Sequence, residues 1–147
     1  MTTQTLGSAQ HSIDLDFSSD VVWALINDFG DPGRWAGPVV EKVELHGQGI
    51  GSERHIWVSG GQKSIERLEA YDDAKMMLQY SIVGKSDFPM TNYIATMSVT
   101  PISKEQCSLE MRCTFIPEGD SESNVKKLVT GIYTDALNGI KTILEQG

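Results

Sequence analysis

The sequence predicts an α+β fold: a curved antiparallel sheet of seven strands with one long C-terminal helix and two short helices after the first strand. Two observations predict it. Seven segments alternate apolar and polar residues with turn residues between them, which is the period of half-buried strands. The C-terminal segment changes to helical spacing. Strands grouped in the chain, with helices kept apart from them, are typical of α+β proteins rather than of parallel α/β folds.

The first elements are predicted from the N-terminal quarter. Residues 1–11 are polar and aperiodic, which indicates a flexible tail. Residues 12–17 alternate apolar and acidic side chains and form the first predicted strand. Two serines and an aspartate at 18–20 are N-cap residues for a helix that runs to about Phe29. After a Gly-Asp-Pro-Gly break, residues 34–36 predict one further short turn of helix.

The other strands are separated by recognisable turns. The glycine run 47–51 is followed by a strand rather than a helix, so it predicts a hairpin turn and not a phosphate-binding loop. Asp72-Asp73 and residues 103–106 predict two more polar turns. The six strands are predicted at about 39–46, 52–58, 63–71, 76–83, 92–100 and 107–116.

The last element is an amphipathic helix of about 20 residues, with Ser121 or Ser123 placed to cap it. Its apolar residues recur every three or four positions, at Val125, Leu128, Val129, Ile132, Ala136, Ile140 and Ile143. Together these elements predict one domain over 12–147.

Charge and composition exclude several classes of function. The chain has 12 Lys+Arg against 20 Asp+Glu, which gives a net charge of -8. It has no cluster of basic residues of the kind that binds nucleic acid or an anionic membrane surface. Its apolar residues are too dispersed for a membrane-spanning helix. We therefore expect no nucleic-acid partner and no membrane insertion.

The two cysteines and the N-terminus predict a cytoplasmic location. Cys107 and Cys113 fall six positions apart in one predicted strand, roughly 20 Å, which is too far for a disulfide. Residues 1–10 lack the basic start and apolar run of a signal peptide.

No metal or organic cofactor is expected. The histidines, at 11, 46 and 55, have no thiol or carboxylate at metal-ligand spacing. No nucleophile motif of the G-x-S-x-G type occurs.

A hollow between the sheet and the terminal helix is a further expectation, because one helix cannot easily fill a strongly curved sheet. Apolar hollows with a few polar groups are where small ligands bind. Simple core packing is the alternative for each candidate lining residue, and Trp35 either caps the mouth of the hollow or is a half-exposed anchor. The candidates are Trp35, Tyr80, Tyr93, Met97, Met111, Cys113, Phe115, Val129 and Tyr133.

Arg54 and Glu66 are the candidate catalytic pair. Strand alternation places Arg54 on the face of Ile56, and Glu66 on the face of Leu68, so both charges point to the apolar side. Buried charges are costly unless they are paired or used. One interpretation makes Glu66 a general acid/base and Arg54 an anion or carbonyl clamp. The other makes them a structural ion pair across neighbouring strands.

The chain resembles the START-like, or Bet v 1-like, superfamily, specifically its polyketide cyclase/dehydrase (SRPBCC) branch. The resemblance spans about Ser12 to Leu144, and it implies the helix-grip fold with a cavity for a hydrophobic small molecule, including lipids. The segments that carry it are "SSDVVWALINDFGDPGRW", "GIGSERHIWVSGG", "SIERLEAYDDAKMMLQYSIVG", "TNYIATMSVTP" and "VKKLVTGIYTDALNGIKTIL".

Two plant groups are similar. The abscisic-acid receptors share "SIERLE.YDD", and the resemblance implies that residues 59–63 correspond to their gate and residues 86–89 to their latch. Loops 59–63 and 84–91 would then form the gated entrance, and Glu66 and Tyr93 would line the pocket. Val40 stands where those receptors have the lysine that pairs with the hormone's carboxylate. The lachrymatory-factor synthases are similar too, and their catalytic arginine and glutamate match Arg54 and Glu66.

Two functions from different classes follow. The first is a binding module that encloses a hydrophobic or amphipathic small molecule. The second is a cofactor-independent cyclase, dehydratase or isomerase, with Glu66 moving the proton and Arg54 stabilising an oxyanion. The receptor resemblance also implies a protein partner that docks after ligand binding, and a weak homodimer is a further alternative.

Overall fold

The computed structural model describes residues 6–36 and 40–147. It confirms the predicted α+β architecture of seven strands, two short helices and one long C-terminal helix. The elements are β1 (Gly7–Leu15), α1 (Ser19–Ile26), α2 (Gly33–Ala36), β2 (Val40–His46), β3 (Glu53–Val58), β4 (Lys63–Asp72), β5 (Met77–Ile82), β6 (Met90–Ser103), β7 (Gln106–Pro117) and α3 (Glu122–Gln146).

All seven strands form one antiparallel sheet in the order β1-β7-β6-β5-β4-β3-β2. The chain therefore leaves β1, passes through α1 and α2 to the opposite edge, and returns by successive hairpins until β7 pairs with β1. The predicted hairpin at 47–51 is confirmed, because Gly47, Gly49 and Gly51 all have the positive φ that glycine adopts without strain.

The prediction of a tail through residue 11 is wrong from Gly7 onward. β1 begins at Gly7 and pairs with β7 over its whole length, whereas residues 1–5 lie outside the described residues. Its inward positions start with Gly7 and Ala9, which are too small to stand out as an apolar pattern. A small residue is needed there, since a Cβ on Gly7 would come within 2.6 Å of the Phe115 ring.

α1 ends three residues earlier than predicted. Asn27 is its C-cap, and the Asp28 carboxylate then accepts a hydrogen bond from the Gly30 N–H at 3.0 Å. Aspartate favours such turns over a continued helix because its short side chain bonds the backbone two residues on. The predicted helical turn at 34–36 is confirmed as α2.

α3 is longer than predicted, at 25 residues, with Ser121 as its N-cap. It packs directly against β1, β7 and α2. Gly139 faces α2, where an added Cβ would lie 3.8 Å from the Trp35 carbonyl oxygen, an ordinary van der Waals contact. No helix in the described part of the chain combines the length and apolarity needed to cross a membrane.

The sheet has two unlike regions under the helices. We call β1, β6 and β7, with the face of α3 above them, the packed half. Three of its inward side chains, Leu15, Leu109 and Phe115, are at most 2% exposed. We call β3, β4 and β5 the open half, because a cavity lies between their inner face and α3. The space left over the open half holds the candidate site.

Candidate ligand-binding site

A cavity of about 280 Å³ lies between the open half of the sheet, α2 and α3. At roughly 30 Å³ of liquid per water molecule, this volume corresponds to about nine waters. It sits at the lower end of the roughly 300–1,000 Å³ typical of ligand pockets. Most of its wall is apolar. This space lies where the hollow was predicted and is of a size for one small molecule, and ligand binding in it stays a prediction.

Arg54 and Glu66 face each other across β3 and β4 and line this cavity. Arg54 donates from Nε to Glu66 Oε1 at 2.8 Å, and its Nη2 lies 2.7 Å from the same oxygen. The Arg54 side chain is 5% exposed and that of Glu66 13%. The prediction that both charges point inward is correct, and they form the cross-strand pair.

The Arg54 guanidinium is held on three further sides. Its Nη1 donates to the Phe29 carbonyl oxygen at 3.0 Å. Its Cζ lies 4.1 Å from the centre of the Phe29 ring and 4.9 Å from that of Tyr80. Aromatic faces attract a guanidinium electrostatically. Arg54 therefore joins the open half of the sheet to the segment after α1, and its charge is balanced by Glu66.

Three tyrosines form the polar strip of the cavity wall. The Tyr93 and Tyr133 hydroxyls hydrogen-bond to each other, joining β6 to α3. The Tyr80 and Tyr93 rings pack with their centres 6.1 Å apart. Burial is the main cause that raises the pKa of Tyr80, Tyr93 and Tyr133 above that of a free phenol. All three therefore stay neutral hydrogen-bonding groups at physiological pH.

Ser64 adds a polar group that the sequence analysis did not single out. It lies on β4 opposite Ile56 and lines the cavity at 4% exposure. Its Oγ has no hydrogen-bond partner among the described residues. A buried unsatisfied hydroxyl costs about 1–3 kcal/mol. The alternation that points Glu66 inward also points Ser64 inward, and that was the available signal.

Six of the nine predicted ligand-contacting residues line the cavity: Trp35, Tyr80, Tyr93, Met111, Val129 and Tyr133. Trp35 is 8% exposed, so it is part of the wall rather than a half-exposed anchor. Met97, Cys113 and Phe115 lie in the apolar core outside the cavity lining. Contact of the six with a ligand stays a prediction.

The two predicted gate loops border the cavity. Ser59 and Gln62 line it from loop 59–63, and Phe88 and Met90 line it from loop 84–91. A hydrogen bond from the Lys63 N–H to Asp87 Oδ2, at 3.0 Å, ties the two loops together. Their action as a gate stays a prediction.

The histidines and cysteines are not among the residues that line the cavity. His46 and His55 pack ring to ring on β2 and β3, and His11 is on β1. Within residues 6–36 and 40–147, no three His, Cys, Asp or Glu side chains are grouped to hold a metal ion. Cys107 and Cys113 are both buried and free, as their spacing predicted.

Comparison with protein families gives one match over nearly the whole chain. The model described as "Polyketide cyclase / dehydrase and lipid transport" covers residues 7–145. Its range runs from the start of β1 to the last turn of α3 and includes all the cavity-lining residues named above.

Solved structures agree with this match. An uncharacterised protein from Bacillus thuringiensis has a TM-score of 0.84 and 31% identity, over 92% of this chain and 96% of that one. The protein XoxI from Bacillus cereus has a TM-score of 0.85 and 30% identity, over 92% of this chain and 94% of that one. Norcoclaurine synthase from Thalictrum flavum, in complex with dopamine and hydroxybenzaldehyde, has a TM-score of 0.75 and 16% identity, over 97% of this chain and 88% of that one. At that identity the likeness is one of fold alone.

Proposed function

The chain belongs to the polyketide cyclase/dehydrase and lipid transport family, and from this membership we propose that it binds a hydrophobic or amphipathic small molecule in the cavity over the open half. The observation that carries the proposal is the cavity itself, about 280 Å³ with a mainly apolar wall. A close-packed interior would leave no such space, because protein cores contain few voids larger than a water molecule.

The arrangement of the wall supports binding rather than simple loose packing. Apolar side chains from α2, α3 and the open half form most of the surface, and the polar groups on it include the tyrosine hydroxyls, Ser64 and the Arg54–Glu66 pair. Ligand pockets combine these same two features, since apolar surface supplies affinity and a few polar groups fix orientation. Norcoclaurine synthase is a protein of this fold that binds small aromatic molecules.

Native mass spectrometry of the protein purified from its own host tests the proposal. We expect a fraction of the protein to carry one extra small mass that organic solvent extracts. Ala136→Trp, which places an indole at the cavity wall on α3, should abolish the extra mass. Asn138→Trp, on an exposed position of the same helix, is the matched control and should retain it. An extra mass that Ala136→Trp leaves unchanged would contradict binding in this cavity.

A cofactor-independent cyclase, dehydratase or isomerase is the second candidate, favoured by the placement of Glu66. Its carboxylate is nine-tenths shielded from bulk solvent yet lines the cavity, where a ligand would meet it. A carboxylate at that position suits proton transfer next to a carbonyl. Arg54 directs its N–H groups to Glu66 and Phe29, so the proton-transfer role rests on Glu66.

Deuterium exchange next to the carbonyl of 2-tetralone, followed by NMR, tests this second candidate. The wild-type protein should accelerate the exchange and Glu66→Gln should abolish the acceleration while 2-tetralone still binds. Acceleration that survives in Glu66→Gln would remove Glu66 from the chemistry. Absence of acceleration in the wild type would leave binding as the function.

A further inference from the structure

The wall of the cavity contains one buried hydroxyl, that of Ser64, for which the described residues supply no hydrogen-bond partner. Ser64 is 4% exposed, and the donor and acceptor positions of its Oγ are both unused. Buried polar side chains in folded proteins are nearly always paired, and an unpaired one needs an explanation. Alanine would fill nearly the same volume without this cost. A serine at this position is therefore explained best by a partner that the cavity receives.

The neighbours of Ser64 limit what that partner is. On β4, Ser64 and Glu66 are two residues apart on the same face, so they are separated by roughly 6–7 Å along the strand. Ile56 lies opposite Ser64 on β3. A ligand group that reaches Ser64 thus lies beside the apolar side chain of Ile56 and roughly 6–7 Å along the strand from Glu66 of the Arg54–Glu66 pair.

The charges of the cavity wall disfavour an anion. Among the described lining residues the charged ones are Arg54, Glu66 and Asp135. The single cation, Arg54, already gives its Nε and Nη2 to Glu66 and its Nη1 to the Phe29 carbonyl. A carboxylate or phosphate on the ligand would therefore enter without a free cation and with two carboxylates nearby, and desolvating such an ion is costly.

We propose that Ser64 is the polar anchor of the cavity and that it selects an uncharged ligand, with an apolar body and one hydroxyl or carbonyl group that hydrogen-bonds to Ser64. This inference rests on the proposed binding function and specifies its ligand class. It also separates this protein from a carrier of fatty acids or other carboxylates.

Three two-ring probes of similar shape test the ligand class by titration calorimetry at pH 7. They are 2-naphthol, which is uncharged because phenols ionise near pH 10, 2-methylnaphthalene, which lacks the hydroxyl, and 2-naphthoate, an anion. We expect 2-naphthol to bind about tenfold more tightly than 2-methylnaphthalene, and 2-naphthoate to bind most weakly. Tighter binding of 2-naphthoate than of 2-naphthol would overturn the charge selection.

Ser64→Ala tests the anchor. We expect it to weaken 2-naphthol about tenfold, equivalent to about 1.4 kcal/mol, and to leave 2-methylnaphthalene unchanged. It should also leave the ligand-free Tm the same or higher, because it removes an unsatisfied group. If Ser64→Ala weakens the affinity for both probes equally, or leaves the affinity for 2-naphthol unchanged, Ser64 is not the anchor, although the cavity remains a binding site.

Ser81→Ala is the matched control. Ser81 is also buried, on β5, but its hydroxyl donates to Glu69 Oε1 at 2.9 Å, and it is not among the cavity-lining residues. We expect it to lower the Tm and to leave the affinities of all three probes unchanged. If none of the probes binds the folded wild-type protein, the proposed function fails and the inference fails with it, an outcome distinct from a Ser64-specific result.

Discussion

The packed half and the open half are built from the same strand pattern but differ in what covers them. In the packed half, α3 lies directly on β1 and β7, and inward residues such as Cys107, Leu109 and Phe115 are 0% exposed. In the open half, the inward positions include Arg54, Ser64 and Glu66, and they face a cavity. The sheet thus supplies a close-packed core at one side and the candidate site at the other.

This difference shows why the inward ion pair of Arg54 and Glu66 lies in the open half. Where a helix packs closely on the sheet, a charged side chain would be buried with little room for a partner, which costs free energy. Over the open half, charged groups are paired with each other and hydroxyls face the cavity. We expect substitutions in the two regions to affect stability and binding in different proportions.

The largest contrast should come from two phenylalanines. Phe115→Ala in the packed half should lower the free energy of unfolding by about 3–5 kcal/mol, because a fully buried ring leaves a void that close packing cannot refill. Phe88→Ala should lower the free energy of unfolding by less than half as much, since Phe88 is only partly buried and already borders the cavity. Urea denaturation measures both, and equal losses would mean that the two regions are packed alike.

A second test breaks the ion pair of the open half. Arg54→Ala should lower the free energy of unfolding by about 3 kcal/mol, because it leaves the Glu66 carboxylate largely buried and unpaired. Arg54→Met combined with Glu66→Leu should recover most of that loss, since apolar residues of similar volume often replace buried pairs without penalty.

The control for this pair is Arg112→Ala. Arg112 pairs with Glu110 at 2.6 Å, but its side chain is 54% exposed, and we expect stability close to that of the wild type. If Arg54→Ala were as mild as Arg112→Ala, the open half would be solvated rather than enclosed.

A smaller effect, confined to high pH, concerns the tyrosines. Burial raises the pKa of Tyr80, Tyr93 and Tyr133 in the folded state above the unfolded value near 10. Their contribution to stability is thus complete below pH 10 and is lost as the pH rises above it. Tyrosinate absorbance should show Tyr71, which is 37% exposed, as the only one of the four tyrosines able to ionise before unfolding.

Replacing one phenol makes this titration specific. Tyr93→Phe should reduce the dependence of stability on pH above 10, because it removes one of the three buried ionisable groups. Ionisation of all four tyrosines near pH 10 in a protein that keeps its fold would contradict an enclosed, largely apolar wall.

The sequence predicted most of the fold because period-two and helical patterns are strong in β3 to β7 and in α3. It failed at residues 7–11, where the inward positions are Gly7 and Ala9 and carry no apolar signal. It also could not resolve the end of β4, where a bulge between Leu68 and Ala70 shifts the alternation. Bulges depend on pairing with a neighbouring strand, which one strand's pattern does not encode.

The candidate site was predictable in part. Alternation placed Arg54 and Glu66 inward, but only the register of β3 against β4 shows that they are direct partners. Met111, Cys113 and Phe115 share one face of β7, yet only Met111 reaches the cavity, because the position of α3 decides which of them are covered. Ser64 was missed because serine is common at both inward and outward strand positions.

The most direct test of the central claim, that the open half holds the binding site, is methyl NMR during titration with 2-naphthol. We expect shifts at cavity-lining methyl groups of Ile56, Ile82 and Val129, and little change at the core methyl groups of Leu109, Val125 and Leu137. Val125 and Val129 are one turn apart on α3, so they form a matched pair within one helix. Shifts at the core methyl groups, or at exposed methyl groups alone, would show that 2-naphthol does not bind over the open half.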